Sequence, residues 1–295
     1  MTKLNIAILS YRSAPFGGGQ GVYIHDISRA LSIMGHKVDV ISGPPYPNLS
    51  EEVNLIELPG LDLFQTFSFK ERMKIFWKKE KKNFSDIYEF ISVLLGGFPE
   101  MRTFGYRARD YLILNNHYDI VIDNQSISYG MIDLQKIFPF IEIIHHPITK
   151  DFKYEMEQSN KLLYKFSRYR WYSFLKMQKK VAPKISNIIT PSINSLKDIS
   201  KDFNCDPSRI TVIQNGLDID IFRPYKEILR NPLRLITTAS ADVPLKGLDY
   251  TLKSLAELKK DFAGIHLIVI GKLKEEGHTS RLIEKLNIQD EVTFK

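Results

Sequence analysis

Cysteine is nearly missing from this chain: Cys205 is the only one in 295 residues. No disulfide can close within the chain, and such usage fits a reducing compartment. No apolar run approaches the ~18 residues of a membrane-spanning helix. The first one, Leu4 to Leu9, is too short for a secretory signal and has no small-residue cleavage site behind it. A cytoplasmic protein is therefore expected. Histidine and cysteine do not recur at metal-ligand spacing, so no metal and no cofactor are expected. Two glycine fingerprints are also missing. G-x-G-x-x-G would need a glycine where Val22 stands, and the P-loop pattern lacks its lysine. That argues against a simple dinucleotide-dependent oxidoreductase.

What the chain does have is three consecutive glycines, Gly17 to Gly19, directly after its first apolar run. A helical pattern follows at once, with Val22, Ile24, Ile27, Leu31 and Met34 at three- and four-residue spacing. In an open α/β sheet this order puts the glycine loop at the carboxyl end of a strand, where ligands bind. Glycine lets the backbone approach a ligand closely, and a helix start offers free N–H groups to an anion.

Further apolar runs read as strands at Lys37 to Ser42, Val53 to Leu58, Tyr118 to Asp123, Phe140 to Ile144, Asn187 to Thr190 and Ile210 to Gln214. A mostly helical insertion spans about 67–115, and Ser192 or Asn194 caps a late helix. A second alternation follows: strand Leu233 to Thr238, helix Leu248 to Lys260, strand Ile265 to Ile270, helix Thr279 to Leu286, strand Val292 to Phe294. The expected architecture is α/β: a doubly wound parallel-sheet domain over 1–225 and a partial Rossmann-like domain over 226–295.

Lysine and arginine exceed acidic residues by 41 to 34, a net charge of +7 that favours acidic partners. The excess is concentrated. Lys70 to Lys82 holds seven basic and two acidic residues around Phe76 and Trp77. This stretch reads either as a solvated face or as a surface for an anionic membrane. Lys161 to Lys180 holds seven basic residues and no acidic one, mixed with six aromatics. Aromatics on every side of a helix point there to burial. No recognised nucleic-acid motif accompanies either stretch, so nucleic acid is not an expected partner.

His145 and His146 end an apparent central strand, where a histidine can donate to a sugar hydroxyl or a phosphate. One of two adjacent histidines can equally do no more than cap the next turn. Lys246, beside Gly247 at a helix start, is placed either for a diphosphate or as an ordinary surface lysine.

The pairing of the GGG-x-G loop with the late PLKGLDYTLKSLAEL segment resembles the family-4 retaining glycosyltransferases of the GT-B fold. ITPSINSLKDI and RITVIQNGLDIDIF are similar to that family's segments before the interdomain linker, and DIVIDNQ and IIHHPIT to its acceptor-side loops. The resemblance implies two Rossmann-like domains, with a glycan, lipid-linked or small-molecule acceptor on the first and a nucleotide-sugar donor on the second. By the same resemblance Gly18, Gly19, Lys246 and Gly247 would meet the donor diphosphate. His145 or His146 would face the reacting sugar, and Gln20, Tyr23 and Asn124 would lie on the acceptor side. Such enzymes need no dedicated base, because the leaving diphosphate assists the incoming hydroxyl. Two departures stand out. Ser240 occupies the position of the family's usual arginine, six residues before the lysine, and the glutamate pair that binds donor sugar and ribose should lie beyond residue 295. Glu276 and Glu284 have the pair's spacing but sit on a different helix. The chain alone is accordingly expected to be a fragment, incomplete for turnover. A non-catalytic acceptor- or membrane-binding module built on the same scaffold is the alternative.

Overall fold

A computed structural model describes residues 2–15, 19–66, 68–238 and 246–295. The chain divides into two compact units, Met1–Gly216 and Leu217–Lys295. The first is built on seven parallel strands: β1 (Asn5–Ser10), β2 (Lys37–Ser42), β3 (Asn54–Glu57), β4 (Ile120–Asn124), β5 (Phe140–Ile143), β6 (Ile188–Thr190) and β7 (Ile210–Val212). They lie in the order β3-β2-β1-β4-β5-β6-β7. Each expected strand is present, with ends shifted by at most two residues.

Continuous apolar runs form these strands because both faces of a parallel sheet are covered. Along β1 the side chains alternate. Ile6 and Ile8 pack with Ile24 of helix α1 (Gly19–Ile33) and with Val38, Val40 and Ile122. Ala7 and Leu9 join the larger core on the other face, with Phe104, Ala108, Met131, Val181 and Phe203.

The insertion between β3 and β4 holds α2 (Phe69–Lys78), α3 (Phe84–Leu94) and α4 (Glu100–Leu114). Helix α4 lies in the main core, whereas α2 and α3 make a separate cluster in which Phe76 stacks on Phe90 at 4.1 Å. The capping box of Asn83 and Asp86 starts α3. A short α5 (Tyr129–Leu134) links β4 to β5; α6 (Thr149–Glu157), α7 (Leu162–Trp171) and α8 (Leu175–Val181) lead on to β6; α9 (Ile193–Phe203) joins β6 to β7. Ser192 caps α9, its hydroxyl accepting from Ser195 N at 3.0 Å.

The burial expected for Lys161 to Lys180 holds for only part of it. Helix α8 buries Leu175, Met177, Gln178 and Val181, but α7 buries no residue and leaves Leu162 and Leu163 more than 80 % exposed. Only Trp171, at its last turn, reaches the aromatic cluster of Phe64 and Phe98, while Arg168 pairs with Glu155 of α6. An aromatic helix is buried only where neighbouring elements surround it.

In the second unit β8 (Arg234–Thr238), β9 (His266–Ile270) and β10 (Val292–Phe294) form a parallel sheet in the order β10-β9-β8. Helices α10 (Leu248–Asp261) and α11 (His278–Leu286) supply Leu248, Leu252, Leu255 and Ile283 to a core around Leu267 and Val269. On β8, Ile236 stays 69 % exposed. No helix among the described residues is long and apolar enough to cross a membrane.

Candidate active site

Strand β1 lies between β2 and β4, so the loops leaving β1 and β4 diverge at their carboxyl ends and open a crevice between them. Four elements meet there: the loop after β1, the start of α1, and the turns after β4 and β5. Gly18 lies outside the described residues. Gly19, the first residue of α1, is exposed, and a side chain there would meet nothing within 4 Å. Gly21 is the glycine that packing demands. A Cβ on it would sit 2.2 Å from the Ala14 carbonyl oxygen, where the loop folds back on the helix.

Gln20 donates from Nε2 to the Tyr11 hydroxyl at 3.4 Å, tying the helix start to the end of β1. One turn on, the Tyr23 ring meets the His145 ring edge-to-face with centroids 4.6 Å apart. His145 Nε2 lies 2.9 Å from Asn124 Oδ1. Three residues singled out in the sequence, from three different elements, are thus in contact. Burial, helped by the charge of His146, lowers His145 to a pKa of about 4. The ring is therefore neutral near pH 7. With Nε2–H donated to Asn124, Nδ1 carries the free lone pair and can accept a hydrogen bond from a hydroxyl.

His146 behaves differently. Its side chain is mostly exposed, with Nε2 3.7 Å from Asp151 Oδ2 at the start of α6. The sequence could not separate the two histidines, and only His145 is in the cluster.

Gln125, which the sequence reading passed over, joins the two turns. Its Oε1 accepts from His145 N at 3.0 Å, and its Nε2 donates to the His146 carbonyl at 3.1 Å. The price is a left-handed backbone at Gln125, φ 62°.

A second group missed in the sequence lies beside the β1 end. Arg12 stacks on Phe64 at 4.2 Å and faces Asp62 at 3.4 Å and Glu100 at 3.6 Å. Arg107 of α4 binds Asp86 at 2.9 Å and Glu89 at 2.7 Å. Tyr11, Asp62, Glu89, Glu100, Thr103 and Arg107 line a narrow pocket with room for about one water molecule. Burial there pushes Glu100 up to about 8, against the pull of Arg12. The only signal in the sequence was charge next to glycine and proline after successive strands.

In the second unit, Lys246 is exposed immediately before α10. Gly247 takes a left-handed φ of 69° at the N-cap, which favours glycine, and its carbonyl accepts from Tyr250 N at 3.0 Å. Ser240 lies outside the described residues.

Comparison with known proteins bears on this geometry. The family profile of Glycosyltransferase Family 4 matches residues 17–221, from the glycine loop to just past β7. An MMP alpha-(1->4)-mannosyltransferase of Mycolicibacterium hassiacum is 39% identical over 290 residues, 97% of this chain and 69% of its own length. Among solved structures, WaaG, a glycosyltransferase involved in lipopolysaccharide biosynthesis, superposes with a TM-score of 0.62 at 18% identity, covering 98% of this chain and 69% of that one. A Staphylococcus aureus TarM mutant in complex with Fondaparinux, alpha-GlcNAc-glycerol and UDP gives 0.58 at 12% identity, covering 99% and 77%. These two show the fold, which is that of the GT-B glycosyltransferases. The switch-point crevice, the glycine loop before α1 and the match over most of the sequence converge: this chain is a glycosyltransferase and belongs to Glycosyltransferase Family 4.

Proposed function

We propose that the chain moves an α-mannosyl residue from a nucleoside diphosphate mannose to a hydroxyl of a sugar acceptor, with retention of configuration. The observation that carries the reading is the His145–Asn124–Tyr23 cluster at the switch point of a chain 39% identical to an α-mannosyltransferase. Nucleoside diphosphate mannose carries its sugar in α linkage, so an α product requires retention.

In the step itself the bond from the anomeric carbon to the diphosphate oxygen breaks. The acceptor oxygen bonds to that carbon on the same face, and its proton passes to the leaving diphosphate. A neutral His145 suits positioning by hydrogen bond rather than proton abstraction, because its pKa of about 4 makes it a weak base. Lys246 and Gly247, just before α10, would hold the diphosphate, and Gly19 at the start of α1 offers free N–H groups to an anion within its own unit. Gln20, Tyr23 and Asn124 would face the acceptor. Protection against thermal unfolding by GDP-mannose, UDP-glucose and other nucleotide sugars tests donor binding, and NMR of the product tests its anomeric configuration. Failure of every nucleotide sugar to bind would leave the non-catalytic module, and a β product would refute retention.

The reading extends to an anionic membrane surface on α2 and α3. Lys70, Lys74, Lys78 and Lys81 are exposed there beside an outward Trp77. Helix α3 adds Phe84, Ile87 and Ile91, with Leu95 just past its end, exposed at helical spacing. The sequence pointed to Phe76 and Trp77 together, but Phe76 turns inward onto Phe90 and α3 supplies the rest of the apolar face. Polybasic attraction is worth ~1 kcal/mol per charge and is screened by salt. Binding to phosphatidylglycerol vesicles that weakens with salt supports this surface; equal sedimentation with phosphatidylcholine vesicles refutes it.

A further inference from the structure

We propose that Asp123 and Glu142 form a buried acid pair, bridged by one shared proton, that positions the His145–His146 turn. The two residues face each other in the β4–β5 register, one step before Asn124 and Ile143. Both are fully buried. Asp123 Oδ2 is well supplied with donors: Ser126 N at 2.8 Å, Ser126 Oγ at 2.8 Å and Ile127 N at 3.3 Å. Among the described residues Asp123 Oδ1 and both Glu142 carboxyl oxygens have no hydrogen-bond partner, although the strand register sets the two carboxyls side by side.

Two carboxylates side by side in an apolar core cannot both stay charged, so one proton must lie between them. Three donors stabilise the anion on Asp123, and the proton therefore rests on Glu142. Burial and the Asp123 charge hold the Glu142 carboxyl well above the ordinary range.

The pair sits at the base of a chain of contacts that ends in the cluster. Asp123 closes the turn over Ser126 and Ile127, and this turn holds both Gln125 and Ile127 in left-handed backbone, φ 62° and 46°. Such a backbone is strained for a residue with a side chain and persists only where surrounding contacts enforce it. Gln125, so held, grips His145 N and the His146 carbonyl. From the other strand, Glu142 lies three residues before His145. The pair thus fixes the two strand ends from which the turns depart. Asp123 and Glu142 are positioning residues, and their role does not depend on which donor the enzyme takes.

The test uses the whole chain with Glu142→Gln, Glu142→Ala and Asp123→Asn. Infrared difference spectra of wild type against Glu142→Gln at pH 7 should show the carbonyl band of a protonated carboxyl in the wild type only. Glu142→Gln still donates to Asp123, so amide exchange at Ser126, Ile127 and His145 should stay near the wild-type rate. Glu142→Ala and Asp123→Asn should speed it about tenfold or more, with Ile41 of β2 and Leu252 of α10 unchanged. Absence of the protonated-carboxyl band overturns the proposal. So does His145 exchange that is unchanged in a folded Asp123→Asn protein, or equal in the Gln and Ala variants at position 142. If neither Glu142→Ala nor Asp123→Asn folds, the band and the exchange rates of Glu142→Gln decide.

Discussion

Glu100→Gln should remove a pH dependence from the stability of the first unit. The Glu100 carboxyl is 7% exposed, and neither of its oxygens accepts a hydrogen bond. Burial raises its pKa from 4.5 to about 8, with Glu89 and Asp62 adding repulsion and Arg12 opposing. In the unfolded chain the same group releases its proton near 4.5. Between these two values the folded state binds more protons than the unfolded one, so stability falls as pH rises. The contribution is fully present below pH 4.5 and gone above about 8. At ~1.4 kcal/mol per unit, the loss between pH 5.5 and 7.5 comes to about 2–3 kcal/mol. Glutamine keeps the size of the side chain and stays neutral, so the variant should gain that amount on the wild type across the interval. Groups that titrate alike in both proteins cancel in the difference. Urea denaturation followed by tryptophan fluorescence suits the measurement, because Trp77 and Trp171 both lie in the first unit. Trp171, packed against Phe98 at 5.1 Å, reports loss of tertiary structure. A stability difference that stays constant from pH 5.5 to 7.5 would refute the reasoning.

Three other substitutions probe the site. Asn124→Asp puts a carboxylate against His145 Nε2, so the histidine pKa should climb from about 4 into the ordinary histidine range or above it, seen as an imidazole NMR titration that the wild type lacks between pH 5.5 and 8. Gly21→Ala brings a Cβ to 2.2 Å from backbone and should cost more than ~2 kcal/mol in thermal unfolding, whereas Gly19→Ala should change stability by less than ~0.5 kcal/mol. The reverse order would displace Gly21 from its structural role. Lys246→Ala should weaken nucleotide-sugar affinity by about 1.5–3 kcal/mol in calorimetric titration. Unchanged affinity would make Lys246 an ordinary surface lysine.

The first sheet was legible in the sequence because a strand covered on both faces has to be apolar throughout. Lys37–Ser42 is a strand from end to end as expected, and Ser192 caps α9 as its position before a helical pattern foretold. The placing of His145 at a strand end was legible for the same reason. Its distinction from His146 was not, since it depends on Tyr23 and Asn124 approaching from other parts of the chain. Glu142 left one trace, a lone acid in the apolar run FIEII, but its partner is set by strand register. Gln125 left none: Asn-Gln-Ser reads as any polar loop, and its backbone conformation follows from the Asp123 carboxylate below it. Helix α7 shows the opposite failure, where six aromatics within twenty residues suggested a core that only α8 and the segment before it enter.

The α2–α3 hairpin shares no buried residue with either face of the seven-stranded sheet. Its aromatic centre, Phe76 on Phe90, rests on Leu61 and Leu63, and Arg107 fastens it to α4 through Asp86 and Glu89. An arrangement of this kind lets evolution treat the hairpin as a replaceable part. Length, charge and apolar surface can change there while β1 and β4 keep their register, provided the Arg107 attachment survives. One scaffold could in this way be refitted for acceptors in different settings, with the chemistry at the switch point left as it was.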